Sequence, residues 1–342
     1  MIVVVVDTHN SALGRAAFNR SKYQESIILA ASDFISAKSL LKEIQKLAPK
    51  VVLFAFRNVL ADALQLPECF PLISQIHTES HFGILIPDHL EIELVENSIS
   101  EQAISSIDFI LVTNLDLLGF YKERYGKSTF IDIYHDLVDY EFISKFRNIS
   151  QIRQNKLIWV GNSKWGNRQG KIDHKGYFSI VSPLYNSEEF GDWEKKVIDS
   201  SKGTKEYGEV LRELSSSSAL LHPSLSEGTG LPILESAILG VFPLTTRVGI
   251  AAELLGDTFP NLIIDRDLPS FKRCLGTINL FDNSERVKLV QITESFLSKV
   301  QNERIPVELV LRKETYQLKS NIRIILWIKV LWLYRYLNSH RK

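Results

Sequence analysis

Two glutamates, Glu227 and Glu235, flank a glycine-rich turn in the run PSLSEGTGLPILESAILGVFPL (223–244), with seven residues between them. The preceding SALLH (218–222) reads as a strand that stops at Pro223, and LSEGTG as a loop in which Gly228 and Gly230 permit tight turns. Pro232 suits the first turn of a helix and Gly240 its end, which predicts Glu235 in the first helical turn and Glu227 in the loop ahead of it. Free backbone N–H groups at a helix start attract phosphate. Carboxylates repel phosphate, so the two glutamates are better suited to accept hydrogen bonds from hydroxyls on either side of it. A nucleotide sugar has that layout, with ribose hydroxyls, then a diphosphate, then sugar hydroxyls. The competing reading is a capped helix whose dipole is complemented by a glutamate.

A second run, WVGNSKWGNRQGKIDHKGYFSIV (159–181), ends an apolar segment at Gly161 and then places Lys164, Arg168 and Lys175 in a polar stretch. Cleaving a nucleotide sugar releases a diphosphate while positive charge grows on the anomeric carbon. Fixed cations and helix N–H dipoles near the leaving oxygens lower that barrier. A solvated basic loop is the alternative for these charges.

The elements that must hold these residues alternate along the chain. Short apolar runs at 2–6, 51–56, 72–76 and 108–112 read as strands, with a helical pattern from Phe34 to Leu47 between the first two. The rhythm restarts at 156–161, 177–181, 218–222 and 240–246. Strands separated by amphipathic helices imply parallel α/β units. The expected architecture is an N-terminal doubly wound domain (1–150), a C-terminal one (151–308) and a basic, aromatic tail (309–342), with ligands between the carboxyl ends of the two sheets. At 342 residues, two domains are the natural division. Lys plus Arg equals Asp plus Glu, at 40 each, so no overall charge points to nucleic acid. The two cysteines, Cys69 and Cys274, offer neither a disulfide framework nor zinc spacing, and the N-terminus MIVVVVDTHN lacks a basic signal region. A cytoplasmic setting is the simplest expectation.

The stretch 223–243 resembles retaining glycosyltransferases of the family-4 type, glycosyl transferases group 1, which have the GT-B fold of two Rossmann-like domains facing across a cleft. The resemblance rests on Pro223, Ser224, Glu227, Gly228, Gly230, Leu231, Pro232, Leu234, Glu235, Gly240 and Pro243. It extends through Gly249, Glu253, Gly256 and Asp257, and is good over about residues 156–260. It implies that Glu227 meets hydroxyls of the donor sugar and Glu235 the ribose diol, with Gly228, Thr229, Gly230 and Leu231 lining sugar and phosphate. It also implies that Lys175 grips the diphosphate. Where the family usually has an arginine, this chain has Asn162, and Lys164 or Arg168 is the candidate replacement. In the N-terminal half, Gly14 is the expected close-approach residue after the first strand, with Arg15 beside it. His77 resembles the family's cleft histidine, with a structural histidine as the other reading.

The implied activity is retaining, metal-independent transfer of a sugar from a UDP- or GDP-linked donor to a hydroxyl of a glycan, in polysaccharide or lipid-linked glycan synthesis. Epimerisation, phosphorolysis and a non-catalytic nucleotide-sugar-binding subunit are the alternatives, the last kept open by Asn162. No metal or other cofactor is expected. Asp265 and Asp267 in DRD look like a manganese motif, but a helix-capping loop is their ordinary explanation. The tail interleaves Arg323, Lys329 and Arg335 with Trp327, Trp332 and Tyr334. It suits either an anionic membrane surface at the inner face of the membrane or packing back on the N-terminal domain.

Overall fold

The computed structural model describes residues 1–55, 58–86, 107–126, 129–151, 155–165, 172–278 and 281–305. The tail 309–342 and Arg168 lie outside the described residues.

The first sheet contains β1 (Ile2–Val6), β2 (Ile27–Ala30), β3 (Val51–Phe54), β4 (His81–Ile86), β5 (Phe109–Val112) and β6 (Phe130–Ile133), in the order β2-β1-β3-β4-β5-β6. Every pairing is parallel. The run IVVVV is apolar throughout because β1 is covered on both faces. Val3 and Val5 join one core with Leu40, Leu41 and Ile44 of the helix Ala37–Leu47. Ile2, Val4 and Val6 join another with Leu53, Phe109, Leu111 and Ile305.

The second sheet contains β7 (Lys156–Gly161), β8 (Glu194–Asp199), β9 (Ala219–His222) and β10 (Phe242–Thr245), in the order β10-β9-β7-β8, again parallel. Trp159, Leu220, Ile233, Phe242 and Phe271 lie in its core, and the connecting helix Tyr140–Ser144 adds Ile143. The loops beyond the carboxyl ends of both sheets meet. Asn114, just after β5, donates to the Gly228 carbonyl beyond β9 at 2.8 Å, and the Thr229 hydroxyl donates to Asp136, beyond β6, at 3.0 Å.

Two expected strands are helical. Residues 72–76 belong to the helix Phe70–Glu79, whose Phe70, Ile73 and Ile76 point inward at helical spacing behind a proline in the first turn. Residues 177–181 form a wide helical turn that runs into Ser182–Tyr185. Short apolar runs do not distinguish a buried strand from one face of a helix. β8 escapes the apolar criterion because it is an edge strand carrying Glu194, Lys195 and Lys196. Two of these charges are paired, Glu194 with Lys156 at 3.4 Å and Lys196 with Glu213 at 2.8 Å.

The last described helix, Asn283–Gln301, returns the chain to the N-terminal domain. The buried Arg20 guanidinium donates to the Val300 carbonyl at 2.7 Å, to the Glu303 carboxylate at 2.8 Å and to the His135 carbonyl at 3.1 Å. Gln24 and Ile305 exchange two further hydrogen bonds.

Candidate active site

β9 delivers the chain into the loop 223–230, which ends where Gly230 adopts a left-handed conformation (φ 77°) and the helix Leu231–Ile238 begins. Glu235 is the fifth residue of that helix, in its second turn rather than the first, because the helix starts one residue before Pro232. The carboxylate of Glu227 is buried. Its Oε1 accepts from the Ser224 hydroxyl at 2.6 Å and lies 2.5 Å from the Lys175 ammonium and 3.2 Å from His222 Nε2. Burial alone raises a carboxyl pKa, but the charge of Lys175 and the nearby His222 ring outweigh it and hold Glu227 well below the usual carboxylate range. Glu235 is the opposite case. Burial raises its pKa, and the Tyr207 hydroxyl, donating at 2.7 Å, and the charge of Arg15 only partly counter this.

Lys175 is positioned by its neighbours. Its ammonium lies 4.8 Å from the centre of the Trp165 ring. Gly176 follows with φ 68°, and a Cβ there would fall 2.4 Å from the Pro223 carbonyl oxygen. The glycine therefore lets the Lys175 segment pack on the start of the Glu227 loop. Arg266 ties the same two segments together, donating to the Pro223 carbonyl at 3.0 Å and to the Asp173 carbonyl. Its neighbour Asp267 accepts from the Ser270 backbone N–H at 2.7 Å and caps the helix Leu268–Ile278, as the capping reading of DRD expects. Among the described residues no group of three or more His, Cys, Asp or Glu is arranged to hold a metal ion.

The N-terminal domain holds the backbone of the Glu227 loop. Asn114 Nδ2 lies 3.2 Å from the Glu227 carbonyl and 2.8 Å from that of Gly228, while Asn114 Oδ1 caps the helix Leu115–Tyr125. The Leu115 N–H donates to Glu253 at 3.2 Å. A cavity of about 360 Å³ opens between the domains, within the size range of small-molecule sites. Gly14, Leu231 and Glu235 line it, together with Arg15, Phe142 and Tyr207. A glycine is required at position 14 because the first turn of the helix Ala12–Ser21 packs on the Thr8–His9 backbone, where a Cβ would sit 2.1 Å from the Thr8 carbonyl oxygen.

The structure thus gathers Gly14, Leu231 and Glu235 around one cavity and joins Lys175 to Glu227. Gly228 and Thr229 are held by Asn114 and Asp136. Asn162 spends its side-chain oxygen on the backbone N–H of Lys164 at 3.0 Å, and Lys164 is exposed. His77 is not a cleft residue. It lies in the last turn of the helix Phe70–Glu79, with its side chain buried 3.3 Å from Asp108 at the start of β5, the end of the sheet opposite the cleft. The misreading follows from taking 72–76 as a strand. Sequence reasoning missed Asn114, Tyr207 and His222. Asn114 carried a helix-capping signal, and His222 lay inside the predicted strand. Nothing marked Tyr207, whose partner is 28 residues away.

Residues 200–271 match the family described as glycosyl transferases group 1. No curated protein matches the chain by sequence. Among solved structures, the chain is similar to the pneumococcal O-GlcNAc transferase GtfA in complex with UDP and GlcNAc, with TM-score 0.51 and 14% identity, over 84% of this chain and 61% of that one. The chain therefore spans less than two thirds of that relative. It is also similar to an α-glucosyltransferase in complex with UDP and a 13-mer DNA, with TM-score 0.57 and 11% identity, over 94% and 99%. HepE from Anabaena, in complex with UDP and glucose, aligns with TM-score 0.56 and 9% identity, over 94% and 100%. The fold is the GT-B fold of glycosyltransferases, and the segment that matches the group 1 family lies in its C-terminal domain. Among the described residues no helix is long and apolar enough to cross a membrane.

Proposed function

We propose that the protein transfers a sugar from a nucleoside diphosphate to a hydroxyl of a glycan acceptor, with retention at the anomeric carbon and without a metal. The observation that carries this reading is the placement of two buried carboxylates on either side of one helix start, Glu227 locked to Lys175 and Glu235 lining the cleft cavity. In this reading Glu235 accepts from the ribose diol, the backbone from Gly228 to Leu231 faces the diphosphate, and Glu227 accepts from the donor sugar.

The acceptor oxygen forms its bond to the anomeric carbon as the bond from that carbon to the phosphate oxygen breaks. The acceptor proton passes to the leaving phosphate oxygen, and the nucleoside diphosphate departs. Attack from the leaving-group side retains configuration and requires no protein nucleophile. Lys175 offsets charge on the departing oxygens, where fixed cations act most strongly. A UDP- or GDP-linked donor and a polysaccharide or lipid-linked acceptor are the classes we favour. The basic, aromatic composition of the segment 312–342 supports an acceptor presented at a membrane surface.

The test is a thermal-shift screen of nucleotide sugars, followed by NMR assignment of the product anomer. A ligand that binds the native state raises the melting temperature according to its concentration over Kd. A transferred sugar with inverted configuration would overturn the retaining assignment. Product formed without acceptor, or only with inorganic phosphate, would move the reading to epimerisation or phosphorolysis.

A further inference from the structure

We infer that Asn114, on the N-terminal domain, is a positioning residue for the Glu227 loop of the other domain. Its side-chain amide holds the two peptide groups that follow Glu227 and Gly228, with their N–H groups turned to the ligand, so the loop is ready for turnover only while the two domains meet. The inference rests on the donor-site reading above and deepens it.

The side chain of Asn114 is used at both ends. It follows β5 with an extended backbone and caps the helix Leu115–Tyr125, where Oδ1 accepts from the Leu117 N–H at 2.9 Å. Serine, threonine or aspartate would cap the helix as well. What asparagine adds is a pair of N–H donors, and both go to carbonyls of the other domain, Gly228 at 2.8 Å and Glu227 at 3.2 Å. The opposite orientation of the amide would set Oδ1 against two carbonyl oxygens, which only accept, so the cap and the cross-domain bonds fix each other. Asn114 is 2% exposed, and water does not compete for these bonds.

A trans peptide points its N–H opposite its carbonyl. With the carbonyls of Glu227 and Gly228 turned to Asn114, the N–H groups of Gly228 and Thr229 point away from it. Both residues are buried, and among the described residues neither N–H has an acceptor. Buried backbone donors are nearly always paired, so these two call for an acceptor that the protein does not supply. The C-terminal domain fixes only the next peptide by itself. The Thr229 carbonyl accepts from the Ile250 N–H at 3.0 Å, and Gly249 leaves the room for it, since a Cβ there would fall 2.4 Å from that oxygen. Among the described residues no group besides Asn114 donates to the carbonyls of Glu227 and Gly228. Without the amide both peptides are free to rotate, and the backbone that carries Glu227 moves with them.

A role confined to capping is the competing reading, and Asn114→Ser separates the two, because serine caps a helix but is too short to reach both carbonyls. Melting temperature, calorimetric binding of UDP, GDP and ADP and of the matching nucleosides, and kcat with the nucleotide sugar of the preferred diphosphate are measured for the wild type, Asn114→Ser and Asn114→Ala. Asn114→Ser should melt near the wild type, bind the preferred diphosphate roughly tenfold more weakly and leave nucleoside binding unchanged. Its kcat should fall further, by about 10²-fold, the scale for reacting groups displaced by an ångström. Asn114→Ala should match Asn114→Ser in binding and turnover but melt lower, having lost the cap as well. A folded Asn114→Ser protein with wild-type diphosphate affinity and kcat overturns the inference and leaves the donor site intact. Equal losses for nucleoside and diphosphate also overturn it, since they mark general damage to the site rather than two misdirected peptides. A wild type that binds none of the three diphosphates overturns the donor reading and this inference with it.

Discussion

The Lys175 ammonium lies 2.5 Å from Oε1 of Glu227, and both side chains are largely buried. Each offsets part of the cost of burying the other's charge, since an unpaired buried charge is costly. The pair therefore serves the fold and the proposed chemistry together.

Those two roles separate in mutants. Lys175→Ala should lower the melting temperature, because Glu227 keeps its buried carboxylate and loses its main counter-charge. It should also lower kcat by roughly 10²–10³-fold, the scale for losing one charge-stabilising group in a closed site. Adding Glu227→Gln should restore much of the stability without restoring turnover. Melting curves and kcat on the single and double variants check this, and a folded Lys175→Ala enzyme with near-normal kcat would sink the catalytic assignment.

The two glutamates should fail differently. Glu235→Ala removes the carboxylate that lines the cavity and frees the Tyr207 hydroxyl, so nucleotide binding itself should weaken by roughly 10–100-fold. Glu227→Ala should leave nucleoside diphosphate binding nearer normal and reduce kcat with the sugar donor. Calorimetric titration with the free diphosphate, set beside steady-state kinetics, separates the two. Equal activity of both variants with the wild type would remove the centre of the functional reading.

The domain junction should give the protein an alkaline weakness. His135 sits 2.7 Å from Glu303 and 3.2 Å from Glu253, with Arg20 also bonded to Glu303. Burial opposes its charge, but hydrogen bonds to Glu253 and Glu303 win and push its pKa up to about 9 from 6.5. A raised folded-state value means that the stabilisation is full below about pH 6.5 and is lost as pH rises through about 9. Its size is on the order of 3 kcal/mol. Glu303 has the opposite sign. Burial raises it, and His135 and Arg20 lower it further, so its contribution is lost as pH falls. Melting temperature measured from pH 5 to 10 should decline above about pH 6.5, and His135→Gln should flatten that decline.

Metal dependence has a direct test. Activity should survive excess chelator. Asp267→Ala should lower the melting temperature slightly through the lost helix cap and leave kcat unchanged. Loss of activity in EDTA with rescue by manganese would instead return Asp265 and Asp267 to consideration as ligands.

The C-terminal half was more legible in sequence than the N-terminal half, for a physical reason. The segment Glu227–Glu235 concentrates its turn, helix start and polar groups within a few residues, so local rules suffice to read it. Asn114 and Tyr207 act through partners far along the chain, at separations of 114 and 28 residues, and no local pattern encodes such meetings. His77 shows the converse error. Its neighbours Ile73 and Ile76 are buried as one face of a helix, yet a five-residue apolar run looks the same in a strand. Edge strand β8 was hidden by the lysines that keep an exposed strand from pairing with other chains.

Ile305 packs under β1 with Val4 and Leu53, and Arg20 in the first helix takes acceptors from residues 300 and 303 as well as from His135. During synthesis the N-terminal sheet is therefore made long before the segment that completes one of its cores. At about 5–20 residues per second, some 10–30 s separate the emergence of the interdomain connection from that of Ile305. Through that interval the nascent N-terminal domain lacks Ile305 from one of its cores and leaves Arg20 without two of its acceptors. Protease sensitivity of stalled chains should therefore fall once residue 305 has cleared the exit tunnel.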